Sequence, residues 1–164
     1  MTEVLSETMQ EALNRQLNAE FYSGYLYLSM SACYEAMDMP GFASWMRVQR
    51  LEELSHALKF FDYIAENGRV RLKAIEAPPT EWEGMVGPFE AALAHEKKVT
   101  GLIKGLVKVA EEEGDEVTLE FLEYFVKEQE EEEESAEKVV NKIRDAADSA
   151  EELDRLDGEL AMRS

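Results

Sequence analysis

The segment RVRLKAIEAPPTEWEGMVGP, residues 69–88, decides the topology of this chain. It carries the pair Pro78–Pro79 and two glycines, Gly84 and Gly87, so no helix survives through it. On both sides the chain is nearly free of helix breakers. From about Glu3 to Glu35 there is no proline and one glycine, Gly24. MDMPG, Met37–Gly41, makes a tight break, with Pro40 suited to the first turn of a second helix over 41–67 that stops at Gly68. A third helix is predicted from about Phe89 to Glu113, and EEEGDE turns the chain into a fourth over 117–147. A short fifth helix over 150–162 is opened by a capping box at Ser149 and Glu152. No segment of useful length has the period of a strand, so the class is all-α. Short turns make the first and second helices antiparallel, and likewise the third and fourth. The linker can reach ~65 Å, whereas the second helix spans ~40 Å. It can return along the whole bundle and set the second and third helices parallel. The expected fold is a four-helix bundle with one long crossover.

With 164 residues, 45% of them hydrophobic, the chain suits a single domain over 1–164 with a proper core. Its formal net charge is -19, from 36 acidic and 17 basic side chains. Such a surface repels nucleic acid and anionic membrane and favours cations. Nowhere do about eighteen apolar residues run together, so nothing in the sequence reads as a membrane span. MTEVLSETMQ has no basic segment followed by an apolar one and does not read as a signal peptide, so the expected location is the cytoplasm. Cys33 is the only cysteine, which rules out an intramolecular disulfide or a thiolate metal site within one chain. Its place in SACYEAM predicts a small buried core residue.

Reading each helix at alternating steps of three and four gives its core seam. The first reads Leu13, Leu17, Glu20, Gly24, Tyr27; the second Phe42, Met46, Gln49, Glu53, His56, Phe60, Tyr63. The third reads Phe89, Leu93, Glu96, Thr100, Ile103, Val107; the fourth Leu122, Phe125, Gln129, Glu132, Ala136, Val139, Ile143. Every seam is apolar at both ends and polar in the middle, so the interruptions fall at a common depth. Glu20, Glu53, His56, Glu96 and Glu132 would then meet in one core layer, where unpaired carboxylates repel each other severely. Two dications would neutralise them. Carboxylate oxygens with one imidazole, on facing helices, suit iron or manganese. Any one of these glutamates alone is better read as a seam-edge residue reaching solvent; it is their concurrence across the helices that points to metal.

The run EQEEEEE, Glu128–Glu134, passes nearly twice round a helix, so most of it must face water. Glu130, Glu133 and Glu134 are expected on that solvated face, and only Gln129 and Glu132 on the seam. Glu128 and Glu131 flank the seam, as Glu52 flanks Glu53, and together they outline an adjacent, weaker cation site. His95 precedes Glu96, but neighbours on a helix point about 100° apart, so His95 is expected at a surface or interface. Tyr27 lies two turns beyond Glu20, within reach of a hydrogen bond or a one-electron role at the metals.

LNAEFYSGYLY, EELSHA, HEKKVTG and EQEEEEE, taken in order, resemble the non-haem ferritins of bacteria and archaea over the whole chain. The resemblance implies a diiron ferroxidase centre. Glu20, Glu53 and His56 would hold one iron, with Glu53 bridging; Glu96 and Glu132 would hold the second, with Gln129 close by. Glu52, Glu128 and Glu131 match the third iron position of bacterial ferritins, and Tyr124 stands where many relatives carry tryptophan. Leu54 stands where a bacterioferritin has its haem-ligating methionine, and QxxE replaces that family's second ExxH, so no haem is expected. The implied activity is oxidation of Fe(II) to Fe(III) by dioxygen or hydrogen peroxide, followed by storage of ferric mineral. The implied assembly is a hollow homo-oligomeric shell of about twenty-four subunits. Two other readings compete: a diiron oxidase or peroxidase acting on an organic substrate, which needs an apolar pocket beside the metals, and a non-catalytic acidic helical scaffold, which takes up no stoichiometric metal.

Overall fold

The computed structural model describes residues 4–164. Its elements are α1 (Glu7–Ala36), α2 (Pro40–Asn67), α3 (Gly87–Glu112), α4 (Glu116–Ala146) and α5 (Ala150–Leu160), and the described residues form no strand. Glu3, where the sequence starts the first helix, lies outside the described residues. α1 begins at Glu7 because Ser6 caps it, its hydroxyl accepting from Met9 N at 3.1 Å. Asp115 caps α4 in the same way, accepting from Thr118 N at 3.0 Å. Proline opens α2 and α3, where a missing N–H costs nothing. The turn from α3 to α4 relies on Gly114, whose φ of 64° is the left-handed conformation that glycine adopts without strain.

α1 pairs with α2 and α3 with α4, each pair antiparallel. The crossover, residues 68–86, runs along α1 from one end to the other and closes with a turn over 84–86. At the start of α1, Asn14 donates to Arg69 O (3.0 Å) and accepts from Arg71 N (2.8 Å), while Gln10 accepts from Arg69 N (3.0 Å). At its far end, Ser29 donates to Pro79 O and Tyr34 to Met85 O, both at 2.6 Å. An irregular segment keeps its polar backbone satisfied this way. The result is the all-α bundle with one long crossover and a short fifth helix that the breaker pattern predicts.

The apolar interior is split in two. One cluster gathers Tyr27, Met30, Tyr34, Phe42, Met46, Phe89, Val139 and Ile143, with Leu156 and Leu160 of α5. The other gathers Met9, Leu13, Leu17, Phe60, Ile64, Ile103, Leu122 and Phe125. Between them lies a buried polar layer. The predicted seams of α2 and α4 hold almost throughout; that of α3 needs correction. Leu93, Thr100 and Val107 are only half-buried, and Ala92, Val99 and Leu106 are buried instead. α3 packs on α1 as well as α4, so its buried stripe turns toward the bisector of two neighbours. Cys33 also departs from expectation. It is half-buried, lining a cleft with Met37 and Trp82 where the crossover passes over the end of α1.

α5 docks on its own bundle, against α2 and α4. Leu156 and Leu160 are buried and Leu153 packs partly against the same cluster. Asp157 accepts from Phe42 N at 2.9 Å, satisfying one of the free donors at the start of α2. Gly41 is required here, because a β-carbon would collide with the Asp157 backbone. Ser149 caps α5, accepting from Glu152 N at 3.1 Å, but the reciprocal half of the predicted box is absent: Glu152 pairs with Arg155 at 2.9 Å.

Candidate metal centre

The polar layer is built from one to three residues of each long helix. Glu20 comes from α1, Gln49, Glu53 and His56 from α2, Glu96 from α3, and Gln129 and Glu132 from α4; all are buried. They point inward because each occupies a core position of its helix, and the spacing of Glu53 and His56 sets both on one face. Ligand atoms of Glu20, Glu53 and His56 lie within 4.8 Å of one another, and so do those of Glu53, Glu96 and Glu132. Glu53 belongs to both groups. Two cations could sit side by side with Glu53 between them.

Hydrogen bonds set the carboxylates in place without using all their oxygens. Gln16 donates to Glu20 Oε1 at 3.0 Å, leaving Oε2 as the one buried side-chain polar atom without a partner among the described residues. Such an atom costs about 1–3 kcal/mol unless it shares a proton with the neighbouring Glu53 carboxylate or a cation binds it. Tyr27 donates to Glu96 Oε1 at 2.6 Å. Gln129 donates to Glu96 Oε2 at 3.2 Å and to Thr100 Oγ1 at 3.2 Å. Gln49 donates to Glu53 Oε1 at 3.1 Å and to Glu132 Oε2 at 2.6 Å. His56 faces Glu53 Oε2 through Nδ1 at 3.4 Å and Glu128 Oε1 through Nε2 at 3.7 Å.

The electrostatics follow from crowding in a dry site. Burial, reinforced by the Glu53 charge, raises the carboxyl of Glu20 well above its ordinary range and that of Glu96 to about 8. Burial, then the charges of Glu96 and Glu53, push Glu132 to about 9. Burial also acts against Glu53, but its hydrogen bond and charge interaction with His56 win, so Glu53 is lowered and His56 raised. The centre holds one ionised Glu–His pair among carboxyls that keep protons at neutral pH. A bound dication would displace those protons.

Around the centre the predicted residues separate. Glu128 joins His56 and Glu132 in a third group with ligand atoms within 4.8 Å of one another. Glu131 is exposed, and Glu52 turns away to pair with Arg163 at 3.2 Å. Glu130 and Glu134 are exposed, but Glu133 is half-buried because Thr100 donates to its Oε2 at 2.5 Å. Tyr124 is exposed, with the Lys59 ammonium 3.6 Å from its ring centre. His95 is half-buried, its Nε2 2.7 Å from Ser23 Oγ, and it joins none of the three groups. Gln49 stands on the predicted α2 seam without an assigned role, and Gln16 and Arg163 stand on no seam. Gln16 lies one turn before Glu20 and could have been found by that spacing; nothing local marks Arg163.

Buried carboxylates converging from four facing helices, with one Glu–His pair at i, i+3, define a class: a helical bundle whose core could hold a pair of metal ions. More particularly, the chain belongs to the ferritin-like domain family, whose sequence pattern matches residues 10–146. It is 41% identical over 127 residues to the bacterial non-heme ferritin of Bacteroides fragilis, covering 77% of this chain and 80% of that protein. A probable bacterial non-heme ferritin-like protein of Haemophilus influenzae is 39% identical over 127 residues, covering 77% of each. Among solved structures, an engineered closed form of the Archaeoglobus fulgidus ferritin superposes with a TM-score of 0.96 at 49% identity, covering 98% of both chains. The open pore ferritin of that archaeon gives 0.96 at 48%, covering 98% of this chain and 99% of its own.

Proposed function

We propose that this chain is a ferroxidase and iron-storage subunit: it oxidises Fe(II) to Fe(III) at a two-iron site in the bundle core, and copies of it enclose the ferric mineral in a hollow shell. One observation carries the reading. Two buried ligand groups share Glu53, and beside them Glu20 Oε2 has no partner. The donor set fits the substrate. Carboxylates are hard ligands that favour Fe(III) over Fe(II), so binding there promotes oxidation. Two adjacent Fe(II) supply two electrons together, enough to reduce hydrogen peroxide to two waters with uptake of two protons, or dioxygen to peroxide.

The residues take distinct parts. Glu20 and His56 bind one iron, Glu96 and Glu132 the other, and Glu53 spans both. Tyr27 and Gln129 hold Glu96 to one orientation through their hydrogen bonds. Glu128, close to His56 and Glu132, offers an exit position. Protons held on Glu96 and Glu132 leave as iron enters.

A cavity of about 260 Å³ lies on the outer side of Glu20, lined by Phe21, Tyr25, Leu28 and Leu54, where an oxidase would need a pocket for an organic substrate. A volume just under the ~300–1,000 Å³ of small-molecule sites still admits a small apolar molecule, so metal chemistry and not this pocket separates the two readings. Stopped-flow absorbance on adding Fe(II) to the apo-protein in air, with native mass measured on the same sample, tests the proposal. A rapid ferric signal saturating near two irons per chain, in a particle of many subunits, supports it. Oxidation no faster than in buffer would refute the ferroxidase, and a monomeric particle would refute the shell.

A further inference from the structure

We propose that Arg163 is a positioning residue for the iron centre, acting through Gln49 to fix the carboxylates of Glu53 and Glu132. The inference rests on the two-iron reading above. Gln49 is buried, and its amide must present either N–H donors or a carbonyl oxygen to those two carboxylates. Oxygen facing oxygen would repel; the Nε2 group instead donates to both, at 3.1 and 2.6 Å. What selects that orientation lies on the amide's other side. Arg163 Nη2 donates to Gln49 Oε1 at 2.8 Å, so the carbonyl is held outward and the donors inward.

Arg163 does not belong to the bundle at all. It lies three residues past the last residue of α5 and reaches back because that helix is docked. Its guanidinium lies 4.0 Å from the centre of the Trp45 ring, donates to Trp45 O at 3.3 Å, and pairs with Glu52 Oε2 at 3.2 Å. A planar fork can serve a carbonyl, an amide oxygen and a carboxylate together; an ammonium cannot do so in this geometry. The segment after α5 thus orders a carboxylate shared by two ligand groups. Partners of this outer kind typically change metal affinity 10- to 100-fold when removed.

The sign of the effect separates this role from a simple charge effect. Removing a cation beside carboxylates should strengthen dication binding if charge is all that Arg163 contributes; losing the Gln49 orientation should weaken it. The test is anaerobic Co(II) titration of apo-protein, followed by visible absorption, for wild type, Arg163→Met, Gln49→Leu and the double variant. Methionine keeps an apolar stem to lie on Trp45. The expected result is two Co(II) per wild-type chain, binding about tenfold weaker in each single variant, and no further loss in the double. Unchanged or tighter binding in Arg163→Met overturns the proposal while leaving the two-iron reading intact. So do additive losses in the double variant, or a weakened site accompanied by loss of hydrogen-exchange protection in α5. Wild type that binds no Co(II) pair would instead remove the two-iron reading and this inference with it.

Discussion

Glu53 is the residue on which the proposed chemistry turns, because it alone belongs to both inner ligand groups and its carboxyl is lowered by its interaction with His56. Glu53→Ala should abolish rapid Fe(II) oxidation in stopped-flow measurements while circular dichroism shows an unchanged helix content. The raised carboxyls bear on stability as well. Glu96 and Glu132 bind protons up to about 8 and 9 in the folded chain, against about 4.3 unfolded. The folded state therefore holds more protons across that window, and the stability they contribute is lost as pH rises through it. His56, also raised, acts in the same direction above its ordinary range. The melting temperature of the apo-protein should fall steadily from pH 6 to pH 9. Adding Zn(II) should reverse the fall, with its largest effect at the alkaline end, where fewer protons compete. A flat apo profile in calorimetry would show that the carboxyls titrate normally.

The helices were legible because their breakers are local: Pro40, Pro78, Pro79, Gly68 and Gly114 act on their own backbone and need no partner. So was the convergence of Glu20, Glu53, His56, Glu96 and Glu132, since a polar residue on a seam is conspicuous in any single helix. What the sequence could not supply depends on neighbours. The rotated stripe of α3 reflects contact with α1 and α4 together, and the half-exposure of Cys33 reflects the path of the crossover. Glu52 turned to Arg163 joins residues 111 positions apart, beyond the reach of any spacing rule. The fifth helix was legible, but not its seat. At 11 residues α5 is below the ~12–15 at which an isolated helix holds in water, so docking maintains it. Leu156→Asp with Leu160→Asp should cost the docked state about 2–5 kcal/mol per site. Hydrogen exchange across α5 should then reach the rate of an unfolded peptide, while the four long helices remain protected. Retained protection would mean that the Asp157 and Arg163 contacts suffice to hold it.

At the scale of the whole molecule, Leu54 of α2 lines a cavity with Tyr25 and Leu28 of α1 and Ile75 of the crossover; Leu51 and Leu58, one turn either side of Leu54, are exposed, as is Leu72 next to Ile75. An apolar surface assembled from three elements is what subunit contact would cover in the proposed shell. Leu51→Glu with Leu58→Glu should lower the particle mass seen by native mass spectrometry, with each subunit still helical; a full-size particle would place the shell contacts elsewhere. The division of the interior has a different consequence. Each end of the bundle is closed by its own plug of aromatic and aliphatic side chains, and neither plug contains a ligand. Under the proposed function the middle belt would fill, empty and exchange protons for metal while the two plugs keep the helices in register. Such a frame is indifferent to its cargo. A subunit built this way would pass through many rounds of loading without once having to repack its core.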